Sequence, residues 1–298
     1  MLITNYTLLD NPNSYKDDIF NGTLDLTKSE WVLSKDTPGT AGMFLKSRLE
    51  VNNNQWFLKL SAYNSEDKVY GYESIFELVA SRVAEALHIK HLHYYLIPVL
   101  VRIDNAEFET VISASKDYRL RNDVRVSFES FYNMYNTANQ NPSDFVFNWL
   151  TRISSMNEYI DHEQLSTYMR QMILFDYIIF NRDRHGNNIE LLYNIDKEAY
   201  KIVPLFDQGC CLTAPLYDDY SQVTTKYMLN SSPVNNFIGC RDLEQNLVTF
   251  CKGKLHLQKL SNYNFTCGLD KYMSSNKLEI INKMIELRWN HAVDILDQ

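Results

Sequence analysis

The chain of 298 residues has no apolar run long enough to cross a bilayer. The longest strongly apolar stretch near its middle, 172–180, is interrupted by Asp176, and a spanning helix needs about 20 such residues. The start, Met1-Leu2-Ile3-Thr4-Asn5-Tyr6, lacks the basic residues and apolar run of a secretory leader. A basic excess is missing too: the net charge is −8, which argues against wholesale binding of nucleic acid. Cysteines are few and odd in number, five in all (Cys210, Cys211, Cys240, Cys251, Cys267), with no Cys-x-x-Cys pair. That pattern excludes a zinc ribbon or a disulfide framework as the basis of the fold, and it leads us to expect a reducing, cytoplasmic compartment. What remains is ordinary globular material, 45% hydrophobic and 22% charged, enough for one large domain or two lobes.

Against that plain background one stretch stands out, Asn181-Arg182-Asp183-Arg184-His185-Gly186-Asn187-Asn188, with Asp207 nineteen positions after Asn188 in Phe206-Asp207-Gln208-Gly209. Phosphoryl transfer needs a carboxylate beside the attacking hydroxyl. It also needs an oxygen ligand and a second carboxylate to hold Mg²⁺ on the nucleotide phosphates. Asp183, Asn188 and Asp207 supply these in the spacing of the protein-kinase signature set. Between Asn188 and Asp207, two short apolar and β-branched segments, 189–193 and 199–203, flank the polar turn 194–198. That pattern predicts a hairpin, whose two ends lie side by side and bring Asn188 to Asp207. A surface loop capped by Asp and Asn would explain any one of these residues, but not the set.

The upstream half supplies a cation. Strand alternation over 55–60 puts Phe57, Lys59 and Ser61 on one face, and a lysine on a half-buried face needs an anionic partner. The following segment, 72–88, carries Phe76, Val79, Val83 and Leu87 at helical spacing and offers Glu73 and Glu77. Glu77 lies deeper in the helix and is the expected partner. Before Lys59, Ser34-Lys35-Asp36-Thr37-Pro38-Gly39-Thr40-Ala41-Gly42 is a loop of small residues that lets backbone N–H groups approach phosphates. Thr37, Gly39, Thr40 and Gly42 are its candidate nucleotide-binding positions. It is not a Walker A loop. Lys46 could also reach a phosphate, but a solvated side chain is the preferred reading.

The wider pattern is strands at 31–33, 43–51 and 55–60, the helix, then strands at 94–103 and 108–113 joined by a polar turn. Residues 1–30 read as a loosely ordered lead-in. From about 119 the chain looks mostly helical, clearest at 163–180 and 277–296, with 212–250 loop-rich. The expected class is α+β: a small antiparallel-sheet N-lobe with one helix over 1–115, and a mostly helical C-lobe over 116–298.

With Lys59, Glu77, Asp183-x-His185-x-x-Asn188 and Leu205-Phe206-Asp207 in this order, the chain resembles the HipA-like serine/threonine kinases, which share their catalytic loop with the phosphatidylinositol kinases. The likeness is specific over about 170–210 and moderate over 35–90. It implies a two-lobed protein-kinase-like fold, ATP and Mg²⁺ as cofactors, and transfer to a Ser or Thr hydroxyl of a protein. It makes Asp183 the catalytic base, Asn188 and Asp207 the metal ligands, and Lys59 the phosphate-binding lysine. His185 would orient Asp183 or touch the transferred phosphate. The strand end Ser113-Ala114-Ser115-Lys116 would meet the adenine, with Ser115 at the hinge. The segment before Lys59 departs from the family's usual glycine loop. An antitoxin or other regulatory partner is also expected. Autophosphorylation within 34–40 is expected on local grounds, since Ser34, Thr37 and Thr40 lie in the segment expected over the phosphates. Three other readings share parts of this pattern. A phosphoinositide kinase would have the same loop but calls for a basic, apolar-rimmed lip, and the stretch after Asp207 carries Asp218 and Asp219 instead. A metal-dependent phosphohydrolase using Asp183, His185 and Asp207 would want more ligands close by, and the seven His are dispersed. An inactive nucleotide-binding module would lack a catalytic position, and none is missing.

Overall fold

The structure, a computed structural model, describes residues 17–33, 44–119, 122–135, 145–156, 159–217, 219–260 and 263–297. In chain order the upper half contains β1 (Leu24–Leu26), β2 (Val32–Leu33), β3 (Leu45–Val51), β4 (Asn54–Leu60), the small hairpin β5 (Tyr63–Asn64) and β6 (Lys68–Val69), helix α1 (Glu73–Ala86), β7 (Tyr95–Ile103) and β8 (Ala106–Lys116). Six of these strands form one sheet in the order β1-β7-β8-β4-β3-β2. The β3–β4 turn places Asn52 and Asn53 at φ 52° and 60°, and the β7–β8 turn places Asp104 and Asn105 at 50° and 63°. Two consecutive left-handed residues match the right-handed twist of a tight hairpin, and Asn and Asp tolerate that region best after glycine.

Helix α1 is buried on nearly all sides, including three charged residues, Glu73, Glu77 and Arg82. It ends at a left-handed His88 (φ 54°), after which the Ile89 N–H returns to the Ala84 carbonyl at 2.9 Å. That closing bond satisfies an otherwise orphaned carbonyl of the last turn. Arg82 anchors the helix from behind. Its Nε and Nη2 each lie 2.7 Å from the Asp18 carboxylate, and Nη1 donates to the Phe265 and Cys267 carbonyls at 2.8 and 2.9 Å.

The lower half holds β9 (Asp123–Ser127), α2 (Phe128–Tyr135), α3 (Val146–Ser155), α4 (His162–Ile178), the two-residue β10 (Asp183–Arg184), the hairpin β11 (Glu190–Asn194) and β12 (Ala199–Ile202), the single turn α5 (Thr225–Met228), β13 (Asn235–Asn236), α6 (Leu243–Cys251) and α7 (Ser275–Asp297). Helix α4 is the central spine, packed by α3, α6 and α7. Its N-terminus is capped by Asp161, whose carboxylate accepts the Gln164 N–H at 2.9 Å. It stops at a left-handed Phe180 (φ 48°), with the Asn181 N–H bonded to the Asp176 carbonyl at 2.9 Å, and that stop delivers the chain into the motif loop.

The α+β division expected from the pattern is present, as are the expected strands, α1, α4, α7 and the 190–202 hairpin. Three elements differ. Residues 24–26, expected in a loose lead-in, add a strand parallel to β7, so the sheet is antiparallel except at that edge. Residues 123–127, expected in a helical region, pair antiparallel with β11. Residues 243–251, expected in loop, form α6, capped by Asp242 accepting from the Glu244 and Gln245 N–H groups. The first two depend on a partner strand about 65–75 residues away in sequence (Leu24 opposite Val99, Ser127 opposite Glu190), which local periodicity does not encode.

Replacing Arg82 by Met should strand the Asp18 carboxylate and two carbonyls in the interior. Breaking a buried pair from one side costs on the order of 3–5 kcal/mol. Urea unfolding of Arg82→Met should show its midpoint lowered accordingly, and an unchanged midpoint would contradict the anchoring role.

Candidate active site

The motif loop is built by backbone and side-chain bonds that leave little freedom. Asn181 Oδ1 accepts the Asp183 N–H at 3.2 Å, the Arg182 N–H reaches the Cys210 carbonyl at 3.2 Å, and a single 3₁₀ turn spans Gly186–Asn188. Gly186 is required there, because a Cβ would sit 2.8 Å from Glu129 Cβ and 2.9 Å from the Phe237 ring. Asn188 is buried, and its amide donates to the Asp183 carbonyl at 3.0 Å. The Asp183 carboxylate itself is exposed at the surface of the loop, accepting from Asn235 Nδ2 at 3.0 Å, with His185 Nε2 3.9 Å away. His185 Nδ1 accepts the Asn187 N–H, which leaves its Nε2 facing Asp183.

Arg184 holds this loop to the strand end that carries Asp207. Fully buried, it meets Asp176 through Nε at 3.0 Å and Nη2 at 2.8 Å, while Nη1 donates to the Asn188 carbonyl at 3.1 Å and the Phe206 carbonyl at 3.0 Å. One guanidinium therefore fixes the backbone at both Asn188 and Asp207. Asp207 is itself left-handed at φ 58°, with its N–H on the Tyr94 hydroxyl at 3.1 Å.

From above, Lys59 reaches across. Its Nζ lies 2.9 Å from Glu77 Oε1 and 2.6 Å from Asp207 Oδ1. The other oxygen of Glu77 accepts the Gln208 N–H at 2.9 Å, so helix α1, strand β4 and the 207–208 segment after β12 meet at one ion cluster. Burial would draw the Lys59 ammonium down, but Asp207 and Glu77 outweigh it and hold the group well above its ordinary value. Burial would raise Asp207, but Lys59 and Lys46 hold its carboxyl below the usual carboxylate range. The Asp207 side chain remains 32% exposed on the cleft side, so it is accessible to a ligand. Glu73 takes a different job: its Oε2 accepts the Ala62 N–H at 3.0 Å, and Gly71 passes so close that a Cβ there would lie 2.1 Å from the same oxygen.

These groups line a cleft between the sheet and the lower half. Its walls include Phe57, Leu92, Phe206 and Tyr118, and Ser113, Ser115, Lys46 and Lys59 open onto it. Ser113 is among the lining residues, and its hydroxyl is buried with no hydrogen-bond partner among the described residues. Tyr118 and Arg125 both bond Glu190, which closes the floor.

The structure thus brings together Lys59, Glu77, Ser115 and Asp207 around one cleft, and places Asp183, His185 and Asn188 on the loop bound to its lower edge. Lys59 selects Glu77 and leaves Glu73 to the backbone. Thr37, Gly39, Thr40 and Gly42 lie outside the described residues, as do Ser34 and Asp218. Lys46 is not the solvated side chain expected: it lines the cleft opposite Lys59 in the β3–β4 register, and burial draws its ammonium below the ordinary value, an effect that Asp207 only partly offsets. Alternation along β3 from Lys59's register partner was the available signal. Arg184 and Asn235 escaped the sequence reading. Arg184 looks like a solvated loop cation, and Asn235 lies 52 residues from the carboxylate it touches. Among the described residues no cluster of three or more His, Cys, Asp or Glu side chains forms a metal site.

No family model matches the chain. Among curated proteins it is similar to the serine/threonine-protein kinase CtkA of Helicobacter pylori, 26% identical over 215 residues, a match that takes in 72% of this chain and 62% of that protein. The chain thus matches less than two thirds of that relative's length. Among solved structures, the crystal structure of the H. pylori proinflammatory kinase CtkA superposes with a TM-score of 0.63 at 19% identity, over 92% of this chain and 96% of that one. The Shewanella oneidensis HipA in complex with HipB and operator DNA gives 0.46 at 11% identity, over 87% and 66%, too slight to argue from. The likeness to HipA-like serine/threonine kinases drawn from the motifs is therefore joined by overall sequence similarity to a serine/threonine kinase, and the fold is the two-lobed kinase-like fold.

The ion cluster has a pH signature. Lys59 is raised, so its contribution is full below about pH 10 and lost as pH climbs through the folded value. Asp207 is lowered, so its contribution is full above about pH 4 and lost as pH falls through the folded value. In Lys59→Met the nearest ammonium is gone and only the more distant Lys46 and Arg184 remain to offset burial, which raises the folded pKa of Asp207 and penalises its ionisation. The gap in Tm between the wild type and Lys59→Met should therefore widen from about pH 4.5 to about pH 8. A gap that narrows over this range would contradict the pairing.

Proposed function

We propose that the chain is an ATP- and Mg²⁺-dependent kinase that transfers the γ-phosphate to a Ser or Thr hydroxyl of a protein. The observation that carries this reading is the Lys59 ammonium bridging Glu77 and Asp207 inside the cleft, above a loop whose Asp183 and Asn188 are tied to the same strand end through Arg184. Sequence similarity to a serine/threonine kinase supports it.

The residues fit the nucleotide. The apolar walls Phe57, Leu92, Phe206 and Tyr118 suit a purine. Ser115 would sit at the hinge. A carboxylate from Asp207 and a carboxamide oxygen from Asn188 are the hard oxygen ligands that Mg²⁺ takes alongside phosphates and water. When bound there, Mg²⁺ supplies charge neutralisation on the β- and γ-phosphates. Lys59 holds phosphate oxygens as a point charge, and Glu77 keeps it extended into the cleft. Asp183 accepts the proton of the acceptor hydroxyl as its oxygen bonds to the γ-phosphorus. The bond from that phosphorus to the β-phosphate oxygen breaks, and ADP leaves. His185 stands beside Asp183 as a group to orient it or to meet the transferred phosphate. Residues 1–115 would act as the nucleotide-binding lobe and 116–298 as the catalytic lobe, with the small-residue loop 34–42 over the phosphates.

The acceptor is read as protein because 208–225 contains no Lys or Arg to meet an anionic lipid headgroup. Ser34, Thr37 and Thr40 are proposed sites of self-modification. A phosphate there adds about −2 charge beside the nucleotide and would repel it. We place the protein in the cytoplasm, with a regulatory protein as partner.

Asp183→Asn and Asp207→Asn should each lower transfer from labelled ATP to a protein acceptor by at least about a thousandfold, with the melting transition retained. Turnover near the wild-type rate in either variant would sink the assignment. Mass spectrometry after incubation with Mg-ATP should find phosphate within 34–40. An unmodified chain that efficiently phosphorylates phosphoinositide vesicles would replace the protein-kinase reading with a lipid-kinase one.

A further inference from the structure

Asp183 has an unusual environment for a base. Among the described residues the only side-chain donor within hydrogen-bond distance of its carboxylate is a neutral amide, Asn235 Nδ2, at 3.0 Å from Oδ1. Among the described residues the only charged or titratable neighbour within ion-pair distance is His185, whose Nε2 lies 3.9 Å from Oδ2. The carboxylate and the amide are both on exposed side chains. A short carboxylate at the surface would sample several rotamers, so whatever restrains it matters for chemistry.

Asn235 is itself held firmly. The two-residue strand 235–236 runs parallel to the motif loop with Asp183 opposite Asn235, through Asn235 N–H to the Arg182 carbonyl and Phe237 N–H to the Arg184 carbonyl, each 2.9 Å. Asn236 Oδ1 accepts the Ile238 and Gly239 N–H groups, and Val234 donates to the Arg241 carbonyl at 3.0 Å, so the segment turns back on itself at once. Further back, the buried Arg288 donates to the Met228 carbonyl at 3.0 Å and the Asn230 carbonyl at 2.6 Å. The amide that meets Asp183 therefore projects from backbone fixed on both sides. Its orientation follows from chemistry: a carboxylate only accepts, so the carboxamide must turn its NH₂ to Oδ1. Asn235 Oδ1 has no partner among the described residues and stays open toward solvent.

We propose that Asn235 is a positioning residue for the base: it engages Oδ1 of Asp183 and thereby sets Oδ2 as the atom that receives the acceptor proton. The proposal rests on the kinase reading above and deepens it, since it adds a residue from the segment after the metal strand to the acceptor side of the site. A neutral donor suits the task. It fixes the rotamer without placing a full positive charge beside the base, as a lysine would.

The test compares the wild type with Asn235→Leu (same shape, no donor), Asn235→Asp (same shape, no donor, like charge) and Asn235→Gln (donor kept on a longer arm). Each is assayed for transfer from labelled ATP to dephosphorylated casein, for affinity by titration with a fluorescent ATP analogue, and for Tm. We expect kcat to fall tenfold or more in Asn235→Leu and further in Asn235→Asp, with Asn235→Gln retaining more than Asn235→Leu. KM for ATP and analogue affinity should stay within twofold, and Tm should be unchanged. A structural role alone would lower Tm or raise KM in step with kcat and would not rank Asp below Leu, so that pattern overturns the proposal. Wild-type turnover together with an Asn235→Leu kcat at half the wild-type value or above overturns it too and leaves the kinase reading standing. A wild-type protein that transfers no phosphate removes the kinase reading, and this assignment with it.

Discussion

The arrangement of the site depends on one buried ion pair, Arg184 with Asp176. Both side chains are enclosed, at 0% and 1% exposure. Taking two charges out of water is costly, and such a pair is stable only if every remaining donor and acceptor is met. Here they are met by the parts that matter. The guanidinium covers the carboxylate with Nε and Nη2 and sends Nη1 to the carbonyls of Asn188 and Phe206, while Asp176 also accepts Asn181 Nδ2 at 2.9 Å. The end of α4, the motif loop and the strand into Asp207 are therefore spaced by one rigid planar group. A lysine offers three donors from one tetrahedral nitrogen and could not span the same set.

Above that floor, the Lys59 cluster joins the halves by a different logic. It is partly open to the cleft, so its charges are available to a ligand as well as to each other. Asp207 takes part in both arrangements, through its backbone neighbour below and its carboxylate above. Its left-handed backbone is one that Asp tolerates better than most residues, which allows the strand to turn sharply at that point.

How far the site could be read in the sequence follows from how local each signal is. Lys59 and Glu77 were legible because alternation along a strand and depth in a helix are properties of short segments. The 190–202 hairpin and α4 were legible for the same reason. Asp183, Asn188 and Asp207 were singled out by the spacing that phosphoryl transfer would demand, and the structure places them on one loop and one cleft edge tied together by Arg184. Arg184 was not, since its value comes from two carbonyls and a carboxylate that converge only after folding. Asn235 was not, since a polar residue in an Asn- and Ser-rich stretch has no local mark of lying beside Asp183. Strand β1 and strand β9 failed for want of a visible partner, and Lys46 was misread because a strand lysine near a turn usually faces water.

Helix α1 carries a consequence for the order in which the chain is made. Its three buried charges all take partners from outside the helix, and some of these come late. Asp18, Lys59 and Ala62 precede it, but Gln208 and the carbonyls at 265 and 267 follow by more than a hundred residues. Loop-closure entropy opposes such distant contacts until both ends exist. On a ribosome, the sheet and its helix would emerge with Glu77 and Arg82 only partly compensated. Glu77 gains its second partner when Gln208 arrives, and Arg82 completes its bonds only with the 265–267 turn, more than 180 residues after it. A helix of the upper half is thus completed by backbone groups that lie far downstream of it.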